Sequence, residues 1–534
     1  MKYYVLFFAF LSALHAQQDV TLQNILLTQD EQIAHISDDA HGVILDPSIE
    51  AEDLKGKLHN RLAKMLGEEL NIQTIDKLKK VIVEYFEQER FLIVSAVVPP
   101  QNISNGALQI RLMKGTVGEV TVSNNRWTKA EWIIDKVGIY PKETIRLDKL
   151  ENNLAWLNRN PFRKINLLLS PGNTAGTTDV ELVVKDRLPV NVTLGADNTG
   201  TKFTERTRMF AGASVGNLWG QDHRATYQYI TTVNPDVFSG HVGSYIAPLP
   251  WKHELFVYGG WAKVRADMPT PGLKTEGTNW QVSPRYVIPI HPMYGDITEQ
   301  ITFGYDFKRT NNGILYNTLS LSSTFADINQ FMAAYMLNYR VGRLRLLFDL
   351  ELYGAPCKIT HYQTTPDYQA IRPFAKPEYL YGKTMLIGWV DLPANFLFKG
   401  SLEGQATAWN LLPSEQFGLG GHDSVRGYQE RVYNADDAVL LSAEVFSPSV
   451  QWKKKISPAK NDLKFLAFID YGWGKLHQAS VGEKSSEWFL GIGPGVRYSY
   501  LTYINLKVDL GFPLHKAGLP THGPQFHASA IVNF

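Results

Sequence analysis

The spacing of apolar residues changes near residue 188. Before it, helical and strand-like patterns alternate. Leu54, Leu58, Leu62, Met65 and Leu66 recur at helical intervals, as do Ile75, Leu78, Val81, Ile82 and Tyr85, so two amphipathic helices are predicted. The apolar runs 92–98 and 108–112 predict strands. The order then repeats: a strand over 117–122, helices over 130–137 and 147–158, and strands over 165–169 and 180–184. Two consecutive β-α-α-β-β units of about 75 residues account for this, each large enough to fold alone.

After residue 188 the period drops to two. Ile301, Phe303, Tyr305 and Phe307 alternate with Thr302, Gly304, Asp306 and Lys308. Leu344, Leu346, Phe348, Leu350 and Leu352 alternate with polar positions that include Arg345, Asp349 and Glu351; Leu347 is the exception. Val439, Leu441, Ala443 and Val445 enclose Ser442 and Glu444, and the even positions from Ile504 to Phe512 enclose Lys507 and Asp509. One face is apolar and the other charged. A soluble sandwich would bury the apolar face; a membrane barrel turns it to lipid and the charged face to a wet lumen. Run length favours the barrel, because these runs approach the roughly 9–11 residues of a tilted crossing.

Both ends of the chain agree. MKYYVLFFAFLSALHA has a positive start, a short apolar core and a small final residue, the pattern of a signal peptide cleaved after Ala16. FHASAIVNF sets Phe526, Ala528, Ala530, Val532 and Phe534 on one face, and the aromatic Phe534 resembles the end that bacterial barrel-assembly machinery reads. With about 345 residues and about twenty per strand and connection, a membrane β-barrel of about sixteen antiparallel strands is expected.

Composition narrows the functions. Lys+Arg is 53 and Asp+Glu is 52, so there is no basic excess for nucleic acid. The aromatic share of 12% suits interfacial girdles. Cys357 is the one cysteine, so no internal disulfide forms. No G-x-S-x-G, H-E-x-x-H or C-x-x-C pattern occurs, and the glycines at 418, 420 and 421 lack the Lys-Ser/Thr of a phosphate cradle. No enzyme, cofactor or metal site is expected.

Three stretches carry a resemblance. Leu419–Glu430, LGGHDSVRGYQE, contains Val425, Arg426, Gly427 and Tyr428. Phe468–Gly472 reads FIDYG, with Phe468, Asp470 and Gly472 in an F-x-D-x-G pattern. Val97–Gly115 and Leu157–Asp186 resemble the ends of two POTRA domains, the first with Pro99, Pro100 and Gln101, the second with Asn158, Arg159, Pro161 and Phe162. Together they resemble the two-partner secretion transporters, the TpsB-type hemolysin secretion/activation family. The resemblance implies a signal peptide (1–16), a linker or plug (17–36), POTRA domains (37–114 and 115–187) and an outer-membrane barrel (188–534). It implies that the VRGY loop folds into the lumen and that Arg426 pairs with Asp470; Glu444, on the charged face of an earlier strand, is expected as a second acidic partner. It implies capture of an unfolded TpsA-type exoprotein on a POTRA sheet edge, with Leu108, Ile110, Ile165 and Leu167 as the passenger-binding positions. Further expected partners are outer-membrane lipid, periplasmic chaperones and the barrel-assembly machinery. Two other readings stay open: a barrel-insertion factor of the same superfamily and a passive porin.

Overall fold

A computed structural model describes residues 20–30, 32, 42–53, 56–201, 204–267, 273–290, 295–316, 319–450, 461–517 and 523–534. The expected signal peptide lies outside these residues.

The first soluble domain is built on a sheet ordered Gly42–Leu45, Asn24–Thr28, Ala107–Lys114, Val94–Val97. The first three strands run parallel and the last pair antiparallel. Helix Ile72–Gln88 starts where the Asn71 side chain accepts from Thr74 N at 2.9 Å, and buries Leu78, Ile82, Tyr85 and Phe86 along one stripe. Helix Lys57–Ala63 is held by Asp53, which accepts from Leu58 N at 2.9 Å and His59 N at 3.0 Å.

Two expectations are corrected here. The segment 17–36 is not purely linker or plug: its residues Asn24–Thr28 form an inner strand, and Leu22, Ile25 and Leu27 are fully buried among Leu58, Leu62, Leu78 and Ile82. The domain begins before residue 37 because the sheet needs this strand to cover its core. Leu108 and Ile110 do not lie on an edge. Their strand has neighbours on both sides, and both side chains are fully buried.

The second soluble domain has the strand order Thr116–Ser123, Thr177–Asp186, Arg163–Pro171, with helices Ala130–Val137 and Leu147–Leu157. Among the described residues, Arg163–Pro171 is an outer strand of this sheet, next to Thr177–Asp186. Its Ile165 side chain enters the core, Leu167 is half-buried, and Leu168 is 53% exposed.

Two compact units result. Residues up to Asn125, Ala130–Leu154 and Ile165–Val184 form one; Arg126–Lys129, Ala155–Lys164 and Lys185–Phe534 form the other. In the second unit, among the described residues, sixteen strands from Val190–Asp197 to Gln525–Asn533 pair antiparallel in a closed barrel. Gln525–Asn533 closes on Val190–Asp197, and Phe534 and Val192 exchange backbone hydrogen bonds of 2.8 and 3.2 Å. Closure leaves no unpaired edge for lipid to meet.

The two faces decide between sandwich and membrane barrel. Phe303, Leu352, Leu441, Val445, Val508 and Phe526 are exposed on the outside, whereas Asp306, Glu444, Asp470 and Asp509 are buried inside. A soluble protein would not show this inverted arrangement. Among the described residues, no helix is long and apolar enough to cross a membrane.

Leu27→Ala is expected to cost about 2–5 kcal/mol through the cavity it leaves. Limited proteolysis of the full chain would show faster cleavage of the soluble half with the barrel intact. Unchanged cleavage would mean that residues 24–28 are not structural.

Candidate functional site

The connection between strands Leu397–Thr407 and Asp437–Phe446 turns inward, and its middle is buried: Val425 is 0%, Tyr428 2% and Arg426 4% exposed. Glycine makes the approach possible. Gly427 has φ +100°, and a Cβ there would meet the backbone of residues 511–513 at 3.0–3.1 Å. Opposite it, a Cβ at Gly491 or Gly511 would overlap the Arg426–Gly427 backbone, and one at Gly472 would press on Val425 at 2.7 Å. The loop backbone thus rests directly on the backbone of two strands, and the Val425 side chain on a third.

Arg426 fills the seat. Its Nε and Nη2 donate to Asp470 at 2.7 and 2.8 Å, and its backbone N donates to the same carboxylate at 3.1 Å. Nη1 donates to Glu444 at 2.6 Å and lies 3.5 Å from Asp509. Ser442 Oγ donates to Asp470 at 2.6 Å, and the Phe468 ring stacks 3.5 Å from the guanidinium carbon. The register explains the grouping. Ser442 lies opposite Asp470, and Glu444 opposite Phe468, so alternation turns all four to the lumen. Lys399 binds Glu444 at 3.1 Å, and Arg497 grips Asp509 at 2.7 and 2.9 Å. Three carboxylates thus face three cations. Burial opposes the Arg426 charge, but Asp470, Glu444 and Asp509 outweigh it and hold the proton above arginine's ordinary range.

Tyr428 locks the next residue. Its hydroxyl donates to His515 O at 2.6 Å and accepts from Leu490 N at 3.3 Å, and its ring meets Phe489 edge-on at 5.1 Å. Every residue expected in the VRGY and F-x-D-x-G motifs is therefore in one cluster, and Glu444 is in direct contact. Asp509 and Ser442 were missed as members. Alternation gave Asp509 its lumenal direction, but not its distance from Arg426. Phe534, the expected assembly signal, is 66% exposed at the barrel's closing seam.

A second anchor was not foreseen. On the loop's incoming leg, buried Glu415 accepts from Lys308 Nζ at 2.9 and 3.0 Å, Tyr381 OH at 2.7 Å and Gln330 Nε2 at 3.1 Å. Burial would raise its pKa, but Lys308 prevails and holds it below the usual carboxylate range. Asp436, on the outgoing leg, accepts from Arg372 at 2.5 and 2.8 Å, Leu411 N at 3.0 Å and Gln416 at 3.1 Å.

This geometry can be set beside known proteins. The family model described as haemolysin secretion/activation protein ShlB/FhaC/HecB matches residues 176–498. The chain belongs to this family. The heme/hemopexin transporter protein HuxB of Haemophilus influenzae (strain 86-028NP) is 24% identical over 90% of this chain and 85% of its own length. The outer membrane transporter CdiB of Dickeya dadantii (strain 3937) is 23% identical over 83% of this chain and 77% of its own. The solved structure of CdiB from Escherichia coli superposes with a TM-score of 0.77 at 16% identity, covering 98% of this chain and 92% of that one. The barrel is an outer-membrane barrel, and the two soluble domains are periplasmic POTRA domains.

Arg426→Ala leaves the buried Asp470 without a counter-cation, at a cost of about 3–5 kcal/mol to loop seating. Arg426→Lys is expected to recover little, because an ammonium cannot span both Asp470 oxygens. Export and protease exposure of the loop in intact cells would measure both; wild-type behaviour in Arg426→Ala would reject the anchor. Exchanging charges at 426 and 470 is expected to rescue poorly, since Glu444 and Asp509 still face the site.

Burial pushes Glu430 up to about 7, against one short hydrogen bond of 2.6 Å from His422 N. A raised carboxylate pKa favours the seated loop when protonated. Seating should strengthen as pH falls from about 7 toward the ordinary carboxylate range, and stay level above it. Loop proteolysis across that window checks this, and Glu430→Gln should flatten the dependence.

Proposed function

We propose that this chain exports one dedicated partner polypeptide across the outer membrane. The observation that carries the reading is a closed barrel into which one of its own connections folds, docked on the wall by the buried Arg426 ion cluster, by backbone contact, and by a small apolar patch of Leu419, Val425 and Tyr428 on Leu440 and Phe489. Such a connection can move aside without unfolding the wall. Family membership supplies the transport class. Two relatives are a heme/hemopexin transporter protein and an outer membrane transporter.

Capture falls to the outer strand Arg163–Pro171. The main chain of an outer strand accepts an extended chain as a further strand, whatever its side chains, so an unfolded passenger suits it. Ile165 supports that strand from the core, while Leu167 and Leu168 flank it. The passenger then crosses unfolded, and its folding outside supplies direction. Phe534 serves barrel assembly, with lipid outside and periplasmic chaperones as earlier partners.

A barrel-assembly factor is the second reading. It is favoured by the seam, where, among the described residues, five ladder pairs and the Phe534–Val192 exchange join the last strand to Val190–Asp197, against eight pairs between Val190–Asp197 and Arg208–Leu218.

The test compares the secreted and surface proteomes of cells with and without this chain. Loss of one large protein from outside is the expected result and names the passenger. A joint decline of many outer-membrane barrels would overturn export in favour of assembly.

A further inference from the structure

The inward loop is held at two places of unlike character. Around Arg426 the contact is backbone against backbone, with no room for a Cβ at Gly427, Gly491 or Gly511, and the charge is gripped by Asp470 and Glu444 together. Around Glu415 one carboxylate faces one cation and two neutral donors. Among the described residues, no other residue of the leg 412–416 makes a hydrogen bond to a barrel strand side chain. The three groups that bind Glu415 come from strands Ile297–Tyr316, Leu319–Val341 and Tyr379–Asp391, a different stretch of wall from the strands Asp437–Phe446 to Ile504–Pro513 that hold Arg426.

Beside this leg lies a cavity of about 730 Å³. Loop residues Leu412, Pro413 and Ser414 form one side, and Val242, Gly260 and Lys308 belong to the other. The leg therefore has more empty space next to it than the seat, where the cavity beside Tyr428 and His527 is about 240 Å³. Lys308 both lines the cavity and holds Glu415.

We propose that Glu415 is a second latch of the loop, and that its release, with Arg426 still seated, is what widens the lumen. Glu415 is a positioning residue in this account: it touches no passenger, and acts by holding leg 412–416 against Lys308, Gln330 and Tyr381. Arg426 then serves as the fixed end about which the leg swings. Asp436 keeps both ends of the loop together during the movement, through Leu411 N and the Gln416 side chain. The inference rests on the export reading for its purpose only; the opening itself is a property of the channel.

The test uses the purified full chain in planar lipid bilayers, with ion current as a readout that needs no passenger. Glu415→Gln keeps the shape and the neutral hydrogen bonds but removes the attraction to Lys308. The open fraction is expected to rise about tenfold, the scale set by losing a charged hydrogen bond. Lys308→Met should do the same. Both proteins should keep wild-type heat-modifiable gel mobility. Arg426→Lys, by contrast, should loosen the Tyr428 seat and not reproduce their current. As a second arm, Lys308→Cys and Glu415→Cys are joined by a short reducible thiol crosslinker in a Cys357→Ser background. The joined protein should neither conduct nor export until reductant is added. Wild-type current in both folded single variants would overturn the latch, as would undiminished export by the joined protein. If the wild type exports nothing while Glu415→Gln conducts, the latch stands and the export reading fails.

Discussion

A chain that crosses hydrocarbon has to give every backbone N–H and C=O a partner, and here that demand is met only when the last strand returns to the first. The bonds between Gln525–Asn533 and Val190–Asp197 complete a circle of sixteen strands. Everything else follows from closure. Sixteen strands enclose an interior too wide for wall side chains to fill. Alternation then puts Asp306, Glu444, Asp470 and Asp509 into that interior, where carboxylates need counter-charges.

The inward loop answers both needs at once. It occupies volume, and through Arg426 it brings a cation to the densest group of lumenal acids. Lys399 and Arg497 complete the balance from the wall itself. A buried ionic group of this kind adds little net stability compared with an apolar filling, but it fixes one register of loop on wall. For a filling that has to leave and return, a defined register matters more than depth of binding.

Much of this was legible in the sequence, for identifiable reasons. Period-two alternation over long runs marked the barrel, because lipid and lumen impose opposite demands on neighbouring residues. Arg426, Asp470 and Glu444 were legible because a motif and a face were both readable there. The strand Asn24–Thr28 was not, since it pairs in parallel with Ala107–Lys114 across most of a domain and leaves no turn signal nearby. Leu108 and Ile110 were misplaced for the same cause: without that strand their own appeared to lie at an edge. Glu415 was invisible because its partner Lys308 is 107 residues away and nothing local marks either.

The glycines at 427, 491 and 511 have a consequence for how the seat behaves in time. Side chains yield gradually, by changing rotamer, so a contact made of them loosens by degrees. Main chain against main chain has no such compliance, and the repulsion rises steeply over a few tenths of an ångström. The Arg426 end of the loop should therefore behave as a two-position click stop, seated or unseated, with no populated half-way arrangement.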